Sequence, residues 1–266
     1  MTSAPVAASA GTPAPAPRLP WRTYAAVYVR MLAIQGSWNY EILLGNGIGF
    51  CVEPALRLLP GGRDGEAYRA ALARQSRYFN AHPYLAAVAV GALARAELDG
   101  VAPAKIERFR TALCGPLGSV GDRLVWAGWL PFCSLVALAA FGAGAGPGTV
   151  LLLFLVLYNV GHFGLRAWGL RVGWRNGMRV ASALGHPVLQ QGPEHIARAA
   201  ALVAGVAIPL ALLRIIGPGR VVLGGVLAGV LAGAILLARM HGRAEGWRVA
   251  LGVLAAFVLF SVLRHG

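Results

Sequence analysis

The chemistry available to this chain sits in a few polar residues set among apolar ones. The stretch GPLGSVGD (115–122) ends on Asp122, and the oily run RLVWAGWLPF follows it directly. A carboxylate placed inside a membrane costs roughly 2.5–3.5 kcal/mol even on the lenient insertion scale, so it needs a partner or a purpose. Two readings of Asp122 stand. It is a ligand contact in a cavity opened by Gly115, Pro116, Gly118 and Gly121, or it pairs with Arg123 or caps the helix that starts there. A second group, QGSWNYEILLGNGIGF (35–50), brings Trp38, Asn39, Tyr40 and Glu41 together. These suit sugar binding: amide and carboxylate oxygens accept from hydroxyls while an aromatic face covers the apolar side of the ring. On an unbroken helix Asn39 and Glu41 point about 200° apart. Both reach one ligand only if Gly45, Gly47 and Gly49 unwind the segment; the competing reading is a tryptophan–tyrosine belt at the membrane interface. FNAHPY (79–84) sets Asn80 and His82 before Pro83, either as an ordinary helix start or as a further substrate or partner contact.

Other chemistries are excluded or disfavoured. The histidines lack metal spacing such as HExxH, and Cys51, Cys114 and Cys133 form no CxxC, so no metal site is expected and the thiols read as buried packing groups. GNGIG (45–49) lacks the full dinucleotide-loop pattern, a preceding strand and a downstream acid. With Lys105 as the only lysine there is no phosphate-binding GxxxxGK[ST] loop, and no GxSxG appears. No cofactor is expected.

The elements that must hold these residues are helices in a membrane. Of 266 residues 57% are hydrophobic and 13% charged, about half the charge of a soluble domain. The runs at 149–165, 199–215, 221–238 and 249–263 approach the roughly 20 apolar residues of a spanning helix. The net charge of +14 is carried by arginines scattered between apolar runs, not by one basic stripe, so nucleic acid is not an expected partner. RAWGLRVGWRNGMR (166–179) and RMHGRAEGWR (239–248) read as cytoplasmic loops. Residues 1–20 form a Pro/Ala/Ser tail expected to be disordered, with neither the basic start nor the continuous hydrophobic stretch of a signal peptide. Residues 61–80 read as an amphipathic surface helix, and PYLAAVAVGALA (83–94), too short to span, as a re-entrant or packed helix. The expectation is an all-α integral membrane protein, multi-span, with glycine-broken and re-entrant helices, forming one membrane domain over 21–266. Such broken helices often mark transport sites.

The segments QGSWNYE, RYFNAHPY, GPLGSVGD followed by tryptophan, and LYNVGHFGLRAWGLRVGWRNG, in this order and spacing over about residues 24–216, resemble the IID membrane component of mannose-family (mannose/fructose/sorbose) phosphotransferase systems. The resemblance implies a non-catalytic subunit of a sugar permease in the bacterial inner membrane. It implies a IIC membrane partner, an oligomer of IIC–IID pairs, and soluble IIA and IIB components that carry the phosphoryl group on their own histidines, leaving no phospho-acceptor here. Trp38, Asn39 and Glu41 match the GSWN(F/Y)E motif and Asp122 the aspartate of GPLAGxGD. The chain departs from the family in having Ile42, Leu43 and Leu44 where RMQ is usual, in VLQQGPEHIA (188–197) for LLQKLTEGAS, and in GPGR (217–220) for a long external segment. These losses allow an alternative role as a non-transporting scaffold or regulatory subunit.

Overall fold

A computed structural model describes residues 19–180, 185 and 187–216. The expected tail, apart from residues 19 and 20, lies outside the described residues, as do 217–220, the apolar runs 221–238 and 249–263, and the basic stretch 239–248. Eight α-helices are described: α1 Trp21–Met31, α2 Gly45–Leu56, α3 Glu66–Gln75, α4 Ala86–Leu98, α5 Pro103–Gly121, α6 Leu130–Gly142, α7 Pro147–Asn176 and α8 Pro187–Ile216. A π-helical segment, Asp122–Trp129, joins α5 to α6 without interruption. The described residues contain no named strand, only isolated bridges Asn39–Leu43 and Leu43–Phe79. The expected all-α membrane architecture is what is observed.

Among the described residues three helices are long and apolar enough to cross a membrane: Pro103–Gly142, Pro147–Arg179 and Leu189–Ile215. The second and third contain the runs 149–165 and 199–215. The first departs from expectation, because no break occurs at 115–121. The helix continues through Gly115, Pro116, Gly118 and Gly121, and the irregularity is displaced to the π segment that Asp122 opens. A 40-residue helix is about 60 Å long at 1.5 Å per residue, twice a ~30 Å hydrocarbon core. Its N-terminal part carries Lys105, Glu107, Arg108 and Arg110, so the apolar C-terminal part is the portion suited to the bilayer. The basic stretch 166–179 is likewise no loop but the last turns of α7 and a short 3-10 turn.

The N-terminal half consists of short helices around α4. Every residue of α4 from Ala86 to Ala94 is buried. Their small side chains let α7 approach: a Cβ on Gly91 would overlap the Leu170 carbonyl and the Trp174 amide, and one on Gly173 the Val88 carbonyl. Close backbone contact of this kind replaces the hydrophobic drive that lipid cannot supply between apolar helices. PYLAAVAVGALA thus forms a packed helix at the core of the fold. Residues 61–80 are less regular than one surface helix: a 3-10 turn, Gly62–Asp64, precedes α3, whose Tyr68, Ala71 and Gln75 are buried.

Two carboxylates fasten these short helices. Glu53 of α2 is bound by Arg30 of α1 at 2.7 Å, by Arg57 at 2.7 Å and by the Tyr68 hydroxyl of α3 at 2.8 Å, with Arg63 at 3.3 Å. Glu97 of α4 takes Arg74 at 2.7 and 3.0 Å and Gln75 at 2.6 Å. Burial alone would raise the Glu53 pKa, but hydrogen bonds from Arg57, Tyr68 and Arg30 outweigh it and bring it down to about 2.

Candidate functional site

The WNYE segment lies in the non-helical stretch between α1 and α2, so the unwinding falls before the glycines and not at them. Gly45, Gly47 and Gly49 are inside or at the start of α2, where added Cβ atoms would overlap Arg77, Ile34 and Ser76 respectively. The turn is organised by Asn39. Its Oδ1 accepts the amides of Glu41 and Ile42, both at 3.0 Å, and its carbonyl accepts Leu43 N–H at 2.9 Å. This is the Asx-turn habit of a short amide side chain. Leu43 is held at φ +51°, a left-handed conformation that costs an L-residue roughly 1–2 kcal/mol. Neighbouring bonds fix it: Phe79 N–H donates to Ile42 O at 3.2 Å, and Leu44 N–H to Phe79 O at 2.9 Å. Trp38 and Tyr40 stand exposed, edge to face at 4.8 Å, and Glu41 is exposed beside them. Two aromatic faces and a carboxylate therefore project from a turn whose backbone is fixed by Asn39.

The same pairing carries the chain from Phe79 into FNAHPY. Asn80 is exposed, while His82 is buried with 1% of its surface accessible. Ala86 N–H donates to His82 O at 2.9 Å, and His82 Nδ1 accepts Tyr84 N–H at 3.2 Å, so His82 caps the turn that leads into α4. That bond places the imidazole hydrogen on Nε2, which is buried and has no partner among the described residues. Burial first, and the Arg166 charge second, push the His82 pKa down to about 4, so the ring is neutral near pH 7. Gly121, directly before Asp122, is required by close packing, because a Cβ on it would collide with the His82 ring and Cβ, whereas Gly115 and Gly118 face open space. FNAHPY and GPLGSVGD are thereby in direct contact, with Trp126 closing over His82 at 4.9 Å.

Asp122, the next residue, is exposed. Neither alternative bond is formed: Arg123 Nε donates to Ser119 O at 3.3 Å, and no side chain caps the π segment. No hydrogen bond joins Asp122 to Asn39 or Glu41, so the structure brings Asp122 to His82's neighbourhood and leaves WNYE linked to both only through the Phe79 backbone.

The sequence reading missed a cluster on α7. Tyr158, His162 and Arg166 recur every four residues and share one face, a spacing readable in LYNVGHFGLR. Arg166, 2% exposed, donates to the Met31 carbonyl at the end of α1 and to His162 Nε2 at 2.8 Å, and lies 4.9 Å from the Tyr84 ring. Tyr84 stacks on His162 at 4.3 Å and exchanges a 2.8 Å hydrogen bond with the Tyr158 hydroxyl. Arg166 thus joins α7 to the residue before the WNYE turn and to the tyrosine of FNAHPY. FNAHPY and the α7 segment meet there, GPLGSVGD and its following tryptophan reach the cluster through Gly121 and Trp126 against His82, and QGSWNYE is tied to it only through the Phe79 backbone. Among the described residues no group of three metal-ligating side chains exists.

The chain is 33% identical over 173 residues to the mannose-specific EIID component of the phosphotransferase system of Escherichia coli (strain K12), covering 62% of this chain and 59% of that protein. It thus spans about three fifths of the length of that relative. Its fold is similar to a chain described as "Structure of membrane protein", with TM-score 0.68 and 23% identity over 93% of this chain and 98% of that one. It is also similar to a chain of the "CryoEM Structure of Mannose Transporter ManYZ and Microcin E492 (MceA) complex", with TM-score 0.52 and 24% identity over 92% and 97%. The sequence model that matches residues 18–211 is that of the phosphotransferase (PTS) system mannose/fructose/sorbose family IID component, and the chain belongs to that family.

Proposed function

We propose that this protein is the IID subunit of a sugar phosphotransferase permease in the bacterial inner membrane. It forms with a IIC partner the unit that translocates a hexose-type sugar, in an oligomer of IIC–IID pairs, for phosphorylation by soluble IIA and IIB components. The observation that carries this reading is the meeting of three family-matching segments, FNAHPY, GPLGSVGD and the α7 segment, at the His82–Tyr84–Arg166 cluster beside a membrane span, in a chain of the IID family. Exposed Asp122 and the Trp38, Asn39, Glu41 turn supply carboxylates and aromatic faces toward a sugar, with Asn80 and His82 behind them. Asp122, free of the Arg123 pair and of any cap, keeps its acceptors available. No group of this chain accepts a phosphoryl group, and its contribution is to bind, position and pass the sugar. The test is sugar uptake and phosphorylation by vesicles containing the chain, its IIC partner and the soluble components. Complex formation without uptake of any hexose would favour a non-transporting scaffold, the role that the apolar Ile42–Leu43–Leu44 run beside Glu41 also suits.

A further inference from the structure

A cavity of about 150 Å³ lies between the three spans. Leu124, Val125 and Trp129 of the π segment form one wall, Gly161 and Leu165 of α7 a second, and Ile196 of α8 a third, with Tyr84 at its base. Its two polar wall groups are already satisfied, because the Tyr84 hydroxyl bonds the Tyr158 hydroxyl at 2.8 Å and Trp129 Nε1–H donates to the Tyr158 carbonyl at 3.3 Å. The wall therefore offers no unused donor or acceptor to a sugar or a water, and a cavity of this size with apolar walls stays dry. Gly161 keeps it in shape, since a Cβ there would overlap the Trp129 indole.

We infer that this cavity holds an acyl chain of a bilayer phospholipid. Depth along the helices supports that occupant. Trp129 lies roughly 20 Å by helix rise from the turn at 143–146, as does Gly161 from the start of α7, and Ile196 lies at a similar distance from Ala211, which packs on Gly142. All three walls thus meet at one level inside a ~30 Å hydrocarbon core. The outer surface of the same helices is apolar as well: Val160 and Phe163 on α7, flanking Gly161 in sequence, and Leu202 on α8 are exposed. At about 30 Å³ per group, a size near that of water, the space takes roughly five methylenes. The gain comes from dispersion contacts that an empty void forgoes. The π segment builds the pocket, since it carries three of the seven lining residues. This inference requires membrane insertion and does not rest on sugar transport.

The test uses the full chain in phosphatidylethanolamine/phosphatidylglycerol vesicles that contain a phospholipid with a mid-chain diazirine, alone and with the IIC partner. After photolysis, mass spectrometry is expected to find label on Val125, Leu165 or Ile196 above the level on the open face at Leu151 and Leu155, in both preparations. Leu165→Phe, whose ring enters the space and narrows it, should lower cavity labelling with open-face labelling unchanged. Cavity labelling no higher than on the open face, or unaltered by Leu165→Phe, overturns the inference. So does labelling that disappears when the IIC partner is present, which would assign the cavity to a partner side chain. If Leu165→Phe disturbs the fold, its open-face labelling changes and the wild-type pattern decides alone.

Discussion

Glu53→Gln removes the charge on which α1, α2 and α3 converge, and its cost follows from the contacts. The carboxylate accepts from Arg30, Arg57 and Tyr68 at 2.7–2.8 Å and its side chain is 9% exposed. Those donors hold its pKa near 2 against an ordinary 4.5. At 1.36 kcal/mol per pH unit the difference is on the order of 3 kcal/mol in favour of the folded state. The native pKa lies below the unfolded one, so this stabilisation is complete above about pH 4.5, declines as pH falls, and is gone below about pH 2. Glutamine keeps the shape and one acceptor but leaves Arg30 and Arg57 without their counter-charge. Thermal unfolding of wild type and Glu53→Gln in detergent, followed by circular dichroism between pH 3 and 8, should show a lower midpoint for the variant at pH 7. The gap should narrow as pH falls below about 4.5. Because Arg30 and Glu53 tie together α1 and α2, the helices on either side of the WNYE turn, protease cleavage within 32–44 should accelerate in parallel. Equal midpoints at pH 7, or a gap that widens toward acid, would refute the electrostatic reasoning.

Other expectations concern packing, topology and the site. Gly91→Val forces a side chain into the Leu170 carbonyl, and overpacking of that order costs about 1–3 kcal/mol; recovery of folded protein by gel filtration should fall sharply, whereas Gly115→Ala, facing open space, should leave recovery unchanged. A cysteine at position 175 should be labelled by impermeant reagent only from the cytoplasmic side, because Arg166, Arg171, Arg175 and Arg179 crowd that end of α7; labelling from outside intact cells contradicts the topology. Asp122→Asn should weaken sugar binding at least tenfold, about 1.4 kcal/mol, with the recovered amount of IIC–IID complex unchanged; loss of uptake only through loss of complex removes Asp122 from the site.

The spans at 149–165 and 199–215 were legible because unbroken apolar runs of that length have few alternatives. Glycine was harder to read. The same residue permits a break and permits a close approach, and sequence alone does not say which. Gly45, Gly47, Gly49 and Gly121 are contact points against Arg77, Ile34, Ser76 and His82, and the helices run on through them. The irregular backbone falls instead at 32–44, where Asn39 supplies its side chain to the turn, and at the π segment, whose cause is not a glycine break. The role of 166–179 was misjudged for a related reason. Arginines on the membrane edge of a helix and arginines in a loop look alike, and only the contacts of Arg166 with Met31 and His162 show it to be an internal clamp. Glu53 and Glu97 depend on partners 15 to 23 residues away, such as Tyr68, Arg30 and Arg74, and only the Glu53–Arg57 pair, four residues apart at the end of one helix, is a local pattern.

We propose that this chain moves sugar as one half of a IIC–IID unit. This is tested most directly by measuring uptake and phosphorylation of radiolabelled mannose, fructose and sorbose in vesicles that contain the chain with its IIC partner and the soluble components, beside vesicles lacking this chain. Accumulation of the sugar phosphate is expected for at least one of these hexoses only when the chain is present, and is expected to be lost in Asp122→Asn. Uptake by the IIC partner alone at the same rate, or an assembled complex that phosphorylates none of the three, would contradict it.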